Sequence, residues 1–227
     1  MEENKKDYHI FEKRRLAACL TFISGFINAF TYITQDGIFA GVQSGNVIMW
    51  AHHAAQGNWH KVVDFTIPIV FFMIGQCLTY IIHKWFTKRR GLWYFGASFI
   101  MLVIVIITAI MTPFLPSIFP VTTLALVASI QVESFRSLRG EPYANVMMTG
   151  NVKNAALFCF RGLVEKNPHL LRAGKNIFIV IFTFALGVAV STLLSQRLGE
   201  YALIFAIIPL LYVTTSLWFE EKNKKSW

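Results

Sequence analysis

Long apolar runs separated by short charged clusters dominate the pattern along the chain. Six of these runs are continuous and reach the ~20 residues that an α-helix needs to cross ~30 Å of hydrocarbon. Each run is bounded by charged residues or by proline, as helix ends commonly are. The pattern therefore predicts six membrane-spanning helices, at residues 16–34, 62–83, 92–112, 117–135, 176–195 and 201–219.

Two further apolar stretches, residues 37–55 and 142–160, are interrupted by Gly, Ser, Thr and Asn. A shift of 105 residues lays the second half of the chain over the first and places the block at 149–152 (Thr-Gly-Asn-Val) over the block at 44–47 (Ser-Gly-Asn-Val). Such self-similarity predicts an internal duplication. The same shift pairs Ser24 with Ser129, Phe30 with Phe135, Asp36 with Glu141 and Gly57 with Gly162.

The overall composition supports a membrane location. Of 227 residues, 55% are hydrophobic and 15% are charged, against about 25% charged in an average soluble domain. The net charge of +9 lies in clusters that flank apolar runs, and such clusters set topology by facing anionic lipid. The predicted partners are therefore a lipid bilayer and a small-molecule solute, with no nucleic acid, and a homo-oligomer is left open.

The distribution of Lys and Arg tests whether the interrupted stretches span the membrane. If both stretches dip in and return to the side they came from, with the amino terminus inside, 19 of the 21 Lys and Arg residues lie inside and Lys61 and Arg197 lie outside. If both stretches crossed fully, the cluster at 84–90 would move outside, against the positive-inside rule. The charges therefore favour re-entrant or broken helices at 37–55 and 142–160.

If both interrupted stretches return to the side they entered from, each half of the chain crosses the membrane an odd number of times. The second copy is then inverted relative to the first. The predicted fold is an all-α membrane protein with about six transmembrane helices, two re-entrant or broken helices and a 3+3 inverted repeat. Its predicted parts are a cytoplasmic amino-terminal segment (1–15), a first repeat (16–113), a second repeat (114–219) and a cytoplasmic tail (220–227).

Non-helical backbone at membrane depth is tolerated where it is buried in protein or lines a wet cavity. Each interrupted stretch therefore predicts part of a substrate-binding site. Ser44 and Thr149 are the predicted N-caps of two short helices whose N-termini point to the protein centre with free N–H groups and partial positive charge. The alternative is that the small residues serve tight helix packing. The candidate substrate-binding residues are Gln43, Ser44, Gly45, Asn46, Thr149, Gly150 and Asn151 in the dips, with Asn28 and Gln131 in spans.

Three charged residues are further candidates. Glu133 lies near the end of a predicted span, where an ionisable group is costly and therefore a functional candidate. It is either a proton-coupling carboxylate or the structural partner of Arg136, one helical turn away. Arg136 and Lys153 are candidate contacts for an anion, and Lys153 has the alternative of facing the cytoplasm.

Other chemistry has no support in the sequence. His52 and His53 are adjacent on a predicted helix and point about 100° apart, so they do not form a metal-chelating i, i+4 pair. The chain contains no hydrolase, zinc-protease, P-loop or dinucleotide motif. Cys19, Cys77 and Cys159 have no CxxC spacing. We therefore expect no enzyme activity, no metal and no cofactor.

The chain resembles the YoaK-like family of uncharacterised bacterial transmembrane proteins, a domain family of unknown function. The resemblance lies in the segments at 25–32 (Gly-Phe-Ile-Asn-Ala-Phe-Thr-Tyr), 37–40, 43–46, 143–144 and 148–151. It implies a six-helix protein of the bacterial cytoplasmic membrane with no established activity to carry over. The chain departs from the family where it has Gln131-Val132-Glu133 in place of Gln-Asn-Ala, which weakens a coupling role for Glu133.

These observations give a functional hypothesis. The chain is expected to be a transporter or permease for a small anionic or polar solute bound between the two half-helix N-termini, with proton coupling through Glu133. The alternatives are a passive channel and a non-transporting membrane protein, either an enzyme or an assembly factor. The expected location is the bacterial cytoplasmic membrane, crossed several times, with both termini in the cytoplasm.

Overall fold

A computed structural model describes residues 10–86 and 90–224, and this part of the chain is almost entirely helical. The predicted amino-terminal segment, tail and basic clusters fall partly outside the described residues, at 1–9, 87–89 and 225–227. The described α-helices are α1 (Arg14–Thr34), α2 (Gln43–Ala55), α3 (Trp59–Phe86), α4 (Arg90–Met111), α5 (Ile118–Ser134), α6 (Met148–Val164), α7 (Pro168–Leu198) and α8 (Ile207–Lys224).

A helix lies at each of the six continuous apolar runs, and shorter helices, α2 and α6, lie in the interrupted stretches. Helix α7 begins well before the predicted residue 176, because Asn167 caps it and Pro168 occupies its first position. The Asn167 side chain accepts hydrogen bonds from the backbone N–H groups of His169 at 2.9 Å and Leu170 at 3.4 Å. The sixth run is a 3-10 helix (Gly199–Ala206) followed by α8.

Four stretches of the described chain are long and apolar enough to cross a membrane. The last of them contains α7, the 3-10 helix and most of α8, while α5 is apolar but shorter. The protein is therefore an all-α membrane protein. The four stretches are Arg14–Thr34, Trp59–Phe86, Trp93–Phe114 and Pro168–Lys222.

The long helices alternate in direction, as contacts at the two ends of the molecule show. We define end A as the end where α1 begins and end B as the end where α1 finishes. At end A, Tyr94 at the start of α4 stacks on Phe11, with ring centroids 3.7 Å apart, and lies against Phe135 after α5. Phe95 contacts Trp218 near the end of α8. Helices α5 and α8 therefore finish where α1 and α4 begin.

At end B, the Asp36 carboxylate after α1 lies 3.7 Å from the Lys61 ammonium at the start of α3. The Gln35 side chain lies 3.4 Å from the Glu200 carboxylate, just after α7. The chain therefore leaves end B after α1 and returns to end B before α3, with α2 between. Helices α1, α4 and α7 run from A to B, and α3, α5 and α8 run from B to A.

Helix α1 packs most extensively on α7, and glycine allows the two backbones to touch. A β-carbon built at Gly25 would lie 2.1 Å from the Phe184 carbonyl oxygen, and one built at Gly187 would lie 2.2 Å from the Phe22 carbonyl oxygen. The hydroxyls of Thr21 and Thr183 are 2.7 Å apart in the same interface. This is the close small-residue packing that membrane helices use.

Replacing Gly25 by Ala is therefore expected to force α1 and α7 apart and to lower the free energy of unfolding by about 1–3 kcal/mol, the usual cost of overpacking. Gly96→Ala in α4 is the matched control, because a β-carbon there meets nothing within 4 Å. Thermal unfolding in detergent checks the difference. Equal stability of the two variants would contradict the packing described.

Candidate functional site

The first interrupted stretch begins with a non-helical segment, residues 38–42, which we call the first extended segment and which runs along α1 into the start of α2. Four consecutive backbone N–H groups in it bond to side chains rather than to another strand. Asn28 Oδ1 accepts from Gly41 at 2.8 Å and Val42 at 3.0 Å. The other two bonds run from Phe39 N to Asn46 Oδ1 at 3.0 Å and from Ala40 N to Thr31 Oγ1 at 3.1 Å.

Asn46 closes a bridge on Phe39, the residue seven positions before it. Besides accepting from Phe39 N, its amide donates to the Phe39 carbonyl oxygen at 2.7 Å and to Gln43 Oε1 at 2.9 Å. Gln43 in turn donates to the Ala40 carbonyl oxygen at 2.9 Å. The Asn46 side chain is fully buried, and these bonds use both ends of its amide. Asn46 therefore holds the extended segment against the first turn of α2.

Asn151 makes the same bridge in the second stretch. Its Oδ1 accepts from the Ala144 N–H at 3.1 Å and its Nδ2 donates to the Ala144 carbonyl oxygen. Ala144 also lies seven residues before its asparagine, so the two bridges sit at positions related by the same shift of 105. The repeated Ser/Thr-Gly-Asn block therefore has repeated geometry.

The first extended segment meets the second, the non-helical residues 143–147 before α6, in the interior of the bundle. A β-carbon built at Gly41 would lie 2.7 Å from Cγ1 of Val146, 3.0 Å from Cβ of Ala128 and 3.3 Å from Nδ2 of Asn28. Gly41 and Val146 are equivalent under the 105-residue shift, and α2 and α6 each begin two residues later. The starts of the two short helices therefore flank one central contact.

Gln131 and Asn145 support the second segment from α5. The Gln131 side chain donates to the Leu20 carbonyl oxygen at 2.9 Å, which joins α5 to α1. The Asn145 amide donates to the carbonyl oxygens of Gln131 at 3.0 Å and Phe135 at 2.7 Å. Asn145 was not among the sequence candidates, because nothing in the pattern distinguishes it from an ordinary loop asparagine.

The predicted capping roles of Ser44 and Thr149 are wrong. Helix α2 begins at Gln43 after Val42, and α6 begins at Met148 after Met147, with no side-chain cap bond at either start. Ser44 and Thr149 are exposed in the first turns of these helices. Each helix begins one residue before its predicted cap, because the buried Asn46 or Asn151, three residues into the helix, anchors the preceding backbone.

The two glycines of the repeated block differ. A β-carbon built at Gly45 would lie 2.9 Å from the Phe39 ring, so Gly45 lets that ring pack onto α2, whereas one built at Gly150 would meet nothing within 4 Å.

The two short helices, α2 and α6, also end differently. Gly57 follows α2 with a φ of 71°, and its positional counterpart after α6 is Lys166 with a φ of 50°. Gly162 instead lies inside α6, so the shift of 105 stops applying there.

The charged candidates lie away from the central contact. Glu133 and Arg136 form an ion pair at the end of α5, in which Arg136 is 64% exposed and Glu133 is 11% exposed. This is the structural pairing that the sequence left as one of two alternatives. Lys153 is exposed on α6. The coupling and anion-binding roles of these residues stay predictions.

A cavity of about 310 Å³ opens beside the first extended segment toward end B. Its lining includes Asp36, Phe39, Gly45, His53 and Lys61. The sequence did not predict this cavity, because its wall comes from α1, α2 and α3 together. Among the residues that the structure describes, no group of three or more His, Cys, Asp and Glu side chains is arranged to hold a metal ion.

A family model described as a protein of unknown function, DUF1275, matches residues 16–216 of the chain. The chain therefore belongs to the DUF1275 family. The expectation of an uncharacterised family is confirmed. No curated protein and no solved structure is significantly similar to this DUF1275 chain.

Replacing Asn46 or Asn151 by Ala removes the bridge that holds an extended segment. Each variant leaves backbone groups of Phe39 or Ala144 without their partners, and each unsatisfied buried group costs about 1–3 kcal/mol. We therefore expect both variants to unfold at lower temperature or denaturant concentration than the wild type, measured in detergent by circular dichroism.

Ser44→Ala and Thr149→Ala are the matched controls from the same helix turns. Both side chains are exposed and neither caps its helix, so both variants are expected to keep wild-type stability. A true N-cap would cost about 1 kcal/mol on removal. If the Ser44 and Thr149 variants were destabilised and the Asn46 and Asn151 variants were not, the helix starts would be held by the caps and not by the asparagine bridges.

Proposed function

We propose that this DUF1275 protein is a permease of the bacterial cytoplasmic membrane that moves a small anionic or polar solute through the region where its two extended segments meet. The observation that carries the proposal is the contact of Gly41 with Val146, with a helix beginning two residues beyond each. The N–H groups of Gln43, Gly45 and Asn46 already donate to the carbonyl oxygens of Gly41 and Val42. Each helix N-terminus nevertheless carries about half a positive charge, which favours an anion or a polar group.

The arrangement of helices supports a 3+3 inverted repeat of α1–α4 and α5–α8. Helix α1 runs from end A to end B, while its counterpart α5 runs from B to A. Helix α1 packs on α7 as α5 packs on α3, and α2 packs on α3 as α6 packs on α7. These four helix contacts thus form two matching pairs, as in transporters that bind solute at the repeat interface.

The charges support end A as the cytoplasmic end. The described Lys and Arg residues at end B are Lys61 and Arg197, whereas basic residues collect at end A. Under the positive-inside rule this distribution supports a topology in which both termini are cytoplasmic and α2 and α6 are re-entrant from opposite sides. Basic residues at end A include Lys13, Arg14, Arg15, Lys84, Arg136 and Arg139.

The bonding of the amides refines how a solute is held. Because the Asn46 and Asn151 amides bond to backbone, they position the extended segments, and direct contact with solute falls to the first turns of α2 and α6. Passage requires the two segments to separate, through rocking of one repeat against the other. Glu133 takes part in proton coupling when its pair with Arg136 opens.

Two alternatives differ in what they predict. In a passive channel the same central contact is a narrow constriction, and flux neither saturates nor runs uphill. In a non-transporting protein, an enzyme or assembly factor, the contact stays closed and no solute crosses. Saturable uptake driven uphill by a proton gradient, and reduced by Glu133→Gln, distinguishes the coupled permease from both.

A reversible cross-link between the extended segments tests the permease. The background has Cys19, Cys77 and Cys159 replaced. In it, Gly41→Cys and Val146→Cys place two thiols side by side. The change at Val146 also removes the methyl group that a β-carbon at Gly41 would contact. Proteoliposomes are screened for uptake of small carboxylates, inorganic anions and neutral polar solutes. Oxidation is expected to abolish the uptake found, and reductant is expected to restore it.

The two single-cysteine variants are the controls, since oxidant should leave their uptake unchanged. Asn46→Ala and Asn151→Ala test the segments separately and should reduce uptake. Uptake that persists in the cross-linked protein, or that is equal to wild type in both alanine variants, contradicts the central route. Uptake no greater than in protein-free liposomes for every solute tested counts against a permease.

The proposed orientation has its own test. In the cysteine-free background, Gln56→Cys after α2 should react with an impermeant maleimide added outside intact cells, whereas His169→Cys at the start of α7 should react after the membrane is opened. Both positions are exposed. The reverse pattern would place end A outside and overturn the topology.

A further inference from the structure

An apolar groove of about 460 Å³ lies between α1, α7 and α8, and we call it the lateral groove. Helix α1 contributes Cys19, Phe22 and Phe26 to its lining, and α7 contributes Val190 and Leu194. The other lining residues come from the end of the 3-10 helix and the first turns of α8. Apart from one thiol and one hydroxyl, the lining side chains carry only carbon and hydrogen. The lateral groove therefore suits a hydrocarbon chain.

The lateral groove opens on the side of the bundle. Phe205, Ile208 and Tyr212 line it and are exposed, so it is not sealed inside the protein. Its residues belong to Arg14–Thr34 and Pro168–Lys222, two of the stretches that are long and apolar enough to cross a membrane. Such stretches are surrounded by lipid, and an open apolar groove in them meets acyl chains.

The lateral groove runs lengthwise through the membrane-spanning part of the protein. Cys19 lies five residues after the start of α1, about 8 Å from end A. Leu194 lies four residues before the end of α7, about 6 Å from end B. An acyl chain that lies along the helices and enters from end A therefore leaves its headgroup beside the first turn of α1.

An exposed cation continues the lateral groove toward end A. Arg15 precedes Cys19, Phe22 and Phe26 by four, seven and eleven residues, and this spacing places all four side chains on one face of α1. Side chains of an α-helix lean toward its N-terminus, so the Arg15 guanidinium extends toward end A, where a headgroup would lie.

The charge at this end of the lateral groove is positive. Arg15 forms no ion pair with any residue that the structure describes, and Lys13 and Arg14 beside it are exposed as well. The acidic residue that precedes them, Glu12, accepts a hydrogen bond from the Ser137 hydroxyl at 2.7 Å. A guanidinium binds phosphate oxygens through paired N–H bonds, and three neighbouring cations favour a headgroup with net negative charge.

We propose that the lateral groove binds one acyl chain of an anionic phospholipid, whose phosphate is held by Arg15. The acyl chain supplies the apolar contacts and the headgroup supplies the charge, so the site selects a lipid by both ends. The site is separate from the central contact of the two extended segments, and the proposal does not rest on transport.

Native mass spectrometry of the full chain in detergent counts the lipids that stay bound. Phosphatidylglycerol is titrated against phosphatidylcholine with the same acyl chains, so that only the headgroup differs. We expect one phosphatidylglycerol to bind about fivefold more tightly or better, since one cation near an anionic headgroup contributes a factor of this size.

Arg15→Gln tests the headgroup contact and should weaken phosphatidylglycerol about fivefold, with little change for phosphatidylcholine. Arg14→Gln is the matched control, because Arg14 is equally exposed but lies about 100° around α1 from Arg15. Its affinity for phosphatidylglycerol should stay within about twofold of the wild type. Both positions are on the surface, so neither change is expected to disturb folding.

Leu194→Trp tests the acyl-chain contact, because an indole ring at this position occupies the lateral groove. It should weaken both lipids about tenfold or more. Leu193→Trp is the matched control, since Leu193 is the exposed neighbour on α7 and is not part of the lining. Its affinity for both lipids should equal that of the wild type.

Four outcomes overturn the proposal. They are equal affinity of the wild type for the two lipids, equal weakening by the Arg14 and Arg15 changes, and equal weakening by the Leu193 and Leu194 changes. The fourth is displacement of bound phosphatidylglycerol by an equal concentration of glycerol 3-phosphate, which would indicate a site for a soluble phosphate. If the Leu194 variant fails to fold, the Arg14 and Arg15 pair still decides.

Discussion

Extended backbone inside an apolar protein must find hydrogen-bond partners that are neither water nor a neighbouring strand, and the rest of this structure depends on how that is done. Residues 39–42 present four N–H groups in succession, and three side chains accept all of them. Two of these side chains, Asn28 and Thr31, belong to α1, while the third, Asn46, belongs to α2. The segment is thereby attached to both helices, and these side-chain hydrogen bonds act together with the packing of α2 on α3 to position α2.

The second extended segment has the same need for hydrogen-bond partners, but of the contacts made by the first segment it repeats only the asparagine bridge. Asn151 repeats the bridge of Asn46, but Asn145 then bonds to carbonyl oxygens at the end of α5 instead of receiving N–H groups. A β-hairpin, β1 (Ser137–Leu138) and β2 (Glu141–Pro142), precedes this segment. The Ser137 hydroxyl bonds to the Glu12 carboxylate at 2.7 Å. The second segment is therefore also tied to the chain before α1.

Much of this fold follows from the sequence because membrane helices are long, apolar and locally determined. A helix lies at each of the six predicted runs. The repeated Ser/Thr-Gly-Asn block marked where the two bridges lie, although the sequence assigned its asparagines to solute binding. The start of α7 was missed because Asn167 and Pro168 lie in a polar stretch, where capping chemistry rather than hydropathy decides. The caps at Ser44 and Thr149 were misassigned because the long-range bond of Asn46, unlike a cap, leaves no local pattern. The end-B cavity depends on how three helices meet, which periodicity along one chain does not contain.

Helix α6 has 17 residues and α2 has 13, and the four additional residues lengthen it by about 6 Å. In the inverted repeat that we propose, identical halves would let the protein insert into a bilayer equally well in either orientation, because turning it over would reproduce the same molecule. Unequal short helices remove that degeneracy, as the unequal distribution of basic residues also does. The difference in length thus makes the two membrane faces of the molecule unequal, so that a single chain can prefer one orientation in the bilayer.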